Sequence, residues 1–174
     1  ELHSADRIDL VMAFIRRSGI APLVSTLRDH CQSGRELRVL TTTYTGSTEG
    51  RALNALRELG ADVRVSYDTS TTRLHAKAWL FHRRSGFSTA YIGSSNLTHS
   101  AQVSGLEWNV RVSGARNPDV IEKVAAVFES YWNSGDFVPY DADTFAAQTE
   151  ASGSGPTIVL SPIDPTRRPE RDRL

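Results

Sequence analysis

Within the apolar run 74–82, an imidazole and a primary amine stand two positions apart, as His75 and Lys77. On an extended chain, residues two apart share a face, so both point the same way, with Trp79 and Phe81 further along. His82 lies seven positions from His75 and falls on the opposite face, which argues against a metal site joining the two histidines. A second polar cluster follows at Gly93-Ser94-Ser95-Asn96. Ser94 and Asn96 share a face if the strand stays regular, and Gly93 lets another backbone come close. Asn96-Leu97-Thr98 can open a helical turn whose free N–H groups attract an anion. Brought together, these pieces supply an imidazole, an ammonium, a hydroxyl and a carboxamide. That set suits a phosphate, with a cation and neutral donors for its oxygens and a nucleophile or acid for the reaction at phosphorus. A plainer reading stands beside this one. A lone His-x-Lys is usually the solvated face of a strand, and Ser94 can simply satisfy a turn.

The elements that must position these residues are legible in outline. Residues 7–15 (RIDLVMAFI) are apolar and β-capable and read as a first strand, with a helix as the alternative because the apolar residues do not cleanly alternate. Ile20, Leu23, Val24, Leu27 and Cys31 fall on one helical face that Gly34 can end. Residues 36–44 read as a second strand, 47–60 as a helix carrying Leu53, Leu56 and Leu59, and 61–67 as a third strand. This βαβαβ order implies a parallel sheet with covering helices. Residues 74–82 and 88–93 then read as two strands joined by a hairpin at Arg83-Arg84-Ser85-Gly86, and 106–113 as a further strand with Leu106, Trp108, Val110 and Val112 on one face. The clearest helix can be capped by Asn117, with Pro118 suited to its first turn, and ends before Gly135. The expected fold class is α/β, a mixed and mainly parallel sheet flanked by helices, over residues 1–140. Residues 141–174 read as a linker and charged tail.

His75-x-Lys77 followed by Gly93-Ser94-x-Asn96 resembles the signature of the phospholipase D superfamily, often called HKD. Glu107, eleven residues after Asn96, sits where nucleases of that superfamily carry a glutamate that holds the catalytic histidine. Read without the resemblance, Glu107 only shares the polar face of its strand with Asn109 and Arg111. The phrases SADRIDLVMAFIRRSGI, LTTTYTG, RLHAKAWLFHRRSGFSTAYIGSSNLT and GLEWNV are similar to the phospholipase D-like domain near the N-terminus of bacterial superfamily II DNA helicases and restriction-type proteins. The tail would then lead toward a fused ATPase core. Two departures stand out. The family's aspartate, five residues after the lysine, is His82 here, and the stretch from there to Gly93 is longer than usual.

The resemblance implies a metal-independent phosphodiesterase with no cofactor. It implies DNA as substrate and two histidines on opposite sides of one phosphodiester. One histidine attacks phosphorus and the other protonates the leaving oxygen. Lys77, Ser94 and Asn96 bind the phosphate; His75, Lys77, Asn96 and Glu107 form the catalytic set. His3, His30, His82 and His99 each lack a lysine two residues on, so the chain holds a single half-site and a homodimer completes it. Thr43, Tyr44 and Thr45 lie where strand-end loops build sites, and His99 just past the motif is a further candidate substrate contact. Trp79 and Trp108 read most simply as core, with base stacking as the alternative. A rival reading is a catalytically degenerate module that binds nucleic acid or drives dimerisation.

Composition narrows the field. The formal net charge is zero over 174 residues, so no global basic field recruits nucleic acid and any phosphate contact must be local. One cysteine, Cys31, excludes an internal disulfide and a cysteine zinc cluster. No apolar run approaches the roughly 18 residues of a membrane span, and the sequence carries neither a signal-peptide pattern nor a membrane-surface segment. A cytoplasmic location is the expectation.

Overall fold

A computed structural model of the chain describes residues 1–44, 46–68, 74–98 and 107–153. The elements are β1 (Arg7–Met12), α1 (Arg17–Ile20), a 3-10 turn (Ala21–Leu23), α2 (Val24–Gln32), β2 (Glu36–Thr42), α3 (Gly50–Glu58) and β3 (Asp62–Ser66). They continue with β4 (Lys77–His82), β5 (Thr89–Gly93), β6 (Asn109–Ser113), α4 (Pro118–Trp132), β7 (Val138–Pro139) and α5 (Ala142–Gly153). One seven-stranded sheet has the order β6-β5-β4-β1-β2-β3-β7. It is mixed and flanked by helices, as the sequence predicts.

The parallel part is smaller than the sequence predicts. The βαβαβ unit gives two parallel pairs, β1 with β2 and β2 with β3. The other four pairings are antiparallel, because β4, β5 and β6 follow one another through short or returning connections and β7 comes back beside β3. β1 sits at the centre, buried on both faces from Ile8 to Met12. A strand covered on both sides has no reason to alternate, which is why its sequence left the helix alternative open.

The two faces of the sheet carry separate cores. Ile8, Leu10, Val39, Val63 and Val65 face α2, α3 and Phe145 of α5. Val11 and Leu40 face α4, meeting Phe128 and Trp132, while Leu80 and Ala90 meet Ile121. The predicted cap of α4 differs in detail: Asn117 occupies the cap position, but its side chain makes no capping bond. At the other end of the chain, the packed unit runs past residue 140. Tyr140 and Phe145 are buried in the main core, and Ala-rich 142–153 forms a helix where the sequence reading began a tail. The remainder of the tail, 154–174, lies outside the described residues, as do Thr45, Leu106 and His99. No described helix is long and apolar enough to cross a membrane.

Candidate active site

The site forms at the edge of the sheet where β1, β2 and β3 end and β4 begins. β1 stops at Met12, opposite Lys77, and the chain then leaves the sheet. Residues 14–16 are tied instead to the segment after β5. Leu97 N–H donates to Phe14 O at 3.2 Å, and Arg16 N–H donates to Leu97 O at 3.0 Å. Gly19 lets α1 press against this segment, since a Cβ there would lie 2.1 Å from the Leu97 carbonyl oxygen. Gly93 does the same at the β5–β6 corner, where a Cβ would meet Trp108 O at 2.0 Å. The close backbone approach expected at Gly93 is therefore present, and Ser94 N–H donates to Trp108 O at 2.9 Å.

Within this frame, Lys77 and His75 meet. His75 is exposed and lies just before β4, while Lys77 opens the strand and is buried. Lys77 Nζ stands 3.1 Å from His75 Nδ1 and donates to the His75 carbonyl at 2.7 Å. An ammonium can only donate, so Nδ1 is the acceptor and a neutral His75 carries its proton on Nε2. The Phe14 ring stands edge-on to the imidazole at 6.4 Å. Burial pushes the Lys77 amine below the usual lysine value, and the Glu107 carboxylate nearby partly opposes that shift.

Asn96 accepts the Phe14 N–H through Oδ1 at 3.1 Å, a bond that leaves both Nδ2 hydrogens for an incoming oxygen. Ser94 Oγ donates to Glu107 Oε2 and accepts the Trp108 N–H at 3.0 Å. The structure thus places Lys77 and Asn96 on the wall of one cavity, with His75 bound to Lys77 and the Ser94–Glu107 pair at the adjoining corner. The helical turn expected to open at Asn96-Leu97-Thr98 is not formed over those residues: Leu97 pairs with Ile15 in a short parallel bridge, and Thr98 N–H donates to Asn96 O at 2.9 Å. Residues 99–106 lie outside the described residues.

Other sequence candidates separate from this group. Thr43 is buried in the turn after β2, with its N–H donating to Ser66 O, and Tyr44 N–H donates to Thr42 Oγ1. Both lie at the correct sheet edge, but neither is among the described residues lining the cavity at Lys77. Trp108 is not core: it is 85% exposed, and Val110 on the same strand face is 63% exposed. β6 is the edge strand of the sheet, so that face has only β5 beside it and α4 reaches only as far as Val112.

His82 faces away from the site, where it joins an ionic network. Its Nε2 lies 2.6 Å from Asp9 Oδ2. At that separation Nε2 carries the proton, so Arg7 Nη2 at 3.0 Å is a close neighbour and not a second hydrogen bond. Arg38 grips Asp9 with Nε and Nη2 at 2.7 and 2.8 Å, and reaches Glu129 on α4 at 2.6 Å. Burial opposes the Asp9 charge, yet the bonds from His82 and Arg38 outweigh it and hold the carboxyl below its usual range.

Two contributors escaped the sequence reading. Phe14 links Asn96 through its backbone and His75 through its ring; in the sequence it was only a residue near the end of the apolar run 7–15. Asn109 donates from Nδ2 to Ser95 Oγ at 2.6 Å and lines the cavity with Lys77. Its position two residues after Glu107 was visible, but not its purpose.

Comparison with known proteins agrees with this fold. The family model described as "Cardiolipin synthase, PLD-like domain" matches residues 1–132. Among proteins of curated function, none matches the sequence. Solved structures do resemble it. Nuc from Salmonella typhimurium, a phospholipase D family member, superposes with a TM-score of 0.62 at 19% identity, covering 80% of this chain and 85% of that one. NucT from Helicobacter pylori gives the same TM-score at 9% identity, covering 80% and 86%. Polyphosphate kinase from Porphyromonas gingivalis matches with a TM-score of 0.51 at 19% identity over 72% of this chain and 21% of its own. With a family match over residues 1–132 and a fold shared over 80% of its length, the chain belongs to the phospholipase D-like domain family.

Proposed function

We propose that the domain is a metal-independent phosphodiesterase that cleaves DNA through a phosphohistidine intermediate. The observation that carries the reading is that Lys77 and Asn96 share one cavity wall while His75 is hydrogen-bonded to Lys77. Lys77 Nζ and the Asn96 Nδ2 hydrogens supply the positive charge and donors that two non-bridging phosphate oxygens require. When phosphate draws Lys77 away from Nδ1, that nitrogen is free to take the proton and leave Nε2 as the nucleophile. In this scheme the Glu107 carboxylate, which is bonded by Ser94 and supports the Lys77 charge, stabilises the imidazolium that results. Attack by Nε2 forms a P–N bond as the P–O bond to the leaving group breaks. A second imidazole gives the leaving oxygen its proton and then takes one from water. Water attack at phosphorus releases the phosphate and restores His75.

The second imidazole is assigned to His75 of another copy, since the sequence has one His-x-Lys. Exposed Val110 and Ile92, on the α4 face of the β5–β6 edge and opposite the Lys77 face, together with Trp108 supply an apolar surface for contact between copies. The wider setting, a module of a larger helicase or restriction-like protein, rests on the sequence phrases quoted above. The similarity of the fold to Nuc and NucT supports a nucleic-acid substrate. A second reading, nucleic-acid binding without turnover, is favoured by the Lys77 bond that occupies His75 Nδ1.

The experiment is cleavage of a labelled DNA in chelator by the native chain and by His75→Ala. The proposal expects cleavage that survives chelation and vanishes in the variant. Binding without cleavage by the native chain would establish the second reading. Cleavage retained by His75→Ala would remove His75 from the mechanism.

A further inference from the structure

The face of β4 that carries Lys77 continues into a cavity of about 440 Å³, within the range of small-ligand sites. Lys77 and Asn96 stand at one end, with Asn109 beside them. Along β4 the floor is aromatic. Trp79 and Phe81 lie parallel at 5.7 Å, and Tyr91 meets Phe81 edge-on at 6.0 Å. Trp79 and Tyr91 are only half-buried, so ring surface is left open to the cavity. The far end is closed by Glu1, whose carboxylate binds Arg83, Thr89 and Arg111. That carboxylate offsets part of the charge of the two guanidiniums, whose donors it occupies, whereas the Lys77 ammonium at the other end forms no ion pair with a carboxylate among the described residues.

An open aromatic floor leading from a phosphate clamp fits a planar ring joined to that phosphate. The carboxamides of Asn96 and Asn109 are the polar groups beside it, suited to the edge of such a ring or to its sugar. We propose that this cavity receives the base of the nucleotide whose phosphate is held at Lys77 and Asn96, stacked on Trp79. A base can enter only when it is out of a duplex, so the site selects unpaired nucleotides. This inference rests on the phosphate site of the proposed function and deepens it.

The test measures binding, with turnover blocked by His75→Ala. Fluorescein-labelled oligothymidylate is compared with an abasic oligonucleotide of the same length. The base-bearing strand is expected to bind about 5- to 100-fold more tightly, the range that stacking on an aromatic ring supplies. Adding Trp79→Ala erases the difference and Trp79→Phe keeps most of it. Leu23→Trp, which fills the cavity from the 3-10 turn before α2, erases it as well. Equal binding of the two strands overturns the proposal without any cavity variant, so a Trp79→Ala chain that fails to fold leaves nothing open. A base preference that survives Leu23→Trp, or survives Trp79→Ala in a folded chain, places the base elsewhere and also overturns it. The two readings fail separately. Absence of cleavage by the native chain with base preference intact sinks only the nuclease reading; cleavage with no base preference sinks only this one.

Discussion

The two faces of β4 hold charge in opposite ways. On one, Lys77 is buried beside an exposed histidine, and its donors have only His75 as a described hydrogen-bond partner. On the other, His82, Asp9, Arg38 and Glu129 form a closed set in which each charge meets its complement. The first face keeps a cation underused at an open cavity, which is what binding an anion requires. The second uses its charges on itself, tying β1, β2, β4 and α4 together. The strand's two-residue alternation separates a site from a brace within six residues.

Substitutions that break one face should leave the other working. The largest effect is expected from His75→Ala, with DNA cleavage falling at least about a thousandfold while thermal melting stays put, because His75 is exposed. Asp9→Ala is the mirror case. It leaves Arg38 and His82 without their buried carboxylate and should cost about 3–5 kcal/mol of stability by urea denaturation, with cleavage per folded molecule retained. Lys77→Ala removes the phosphate clamp and should lower cleavage by about 100- to 1,000-fold, read as a loss of kcat/KM. If Lys77→Ala instead unfolds the chain and leaves activity intact, the roles of the two faces are reversed.

Two pH effects sharpen the comparison at smaller scale. The Asp9 carboxyl is held down in the folded chain, so its stabilisation is complete above its ordinary value near 3.9 and fades as pH falls through the lower folded value. Asp9→Asn should remove that acid component from the pH dependence of urea stability. The Lys77 amine is pushed down from the usual value near 10.4. Phosphate affinity should therefore begin to fall on the alkaline side below that pH, as the ammonium is lost. Glu107→Gln should move this limb lower still, because the carboxylate supports the charge. A limb unmoved by Glu107→Gln would place Glu107 outside the site's electrostatics.

Much of this division was legible in the sequence. The parity of 75, 77 and 82 predicts that His82 lies on the far face from Lys77, and local patterns fix the βαβαβ unit and α4. What escaped depends on long-range partners. Nothing near His82 in sequence announces Asp9, which lies 73 residues away and meets it only through the β1–β4 register. Phe14 looked like the end of a strand because its tie to Asn96 spans 82 residues. Trp108 looked like core because alternation reports a shared face and not what covers it; β6 proved to be the edge strand, with that face open. The helix at 142–153 was hidden by its Ala-rich composition, with Phe145 as the one residue that anchors it in the core.

The most direct test of the division is to trap the covalent intermediate. The native chain is mixed with labelled DNA in chelator, quenched in alkali, which preserves a phosphohistidine, and the adduct is mapped by peptide mass. The account predicts a nucleotide adduct on His75, still formed by His82→Asn and abolished by His75→Asn. An adduct on His82, or none in a chain that cleaves DNA in chelator, would contradict it.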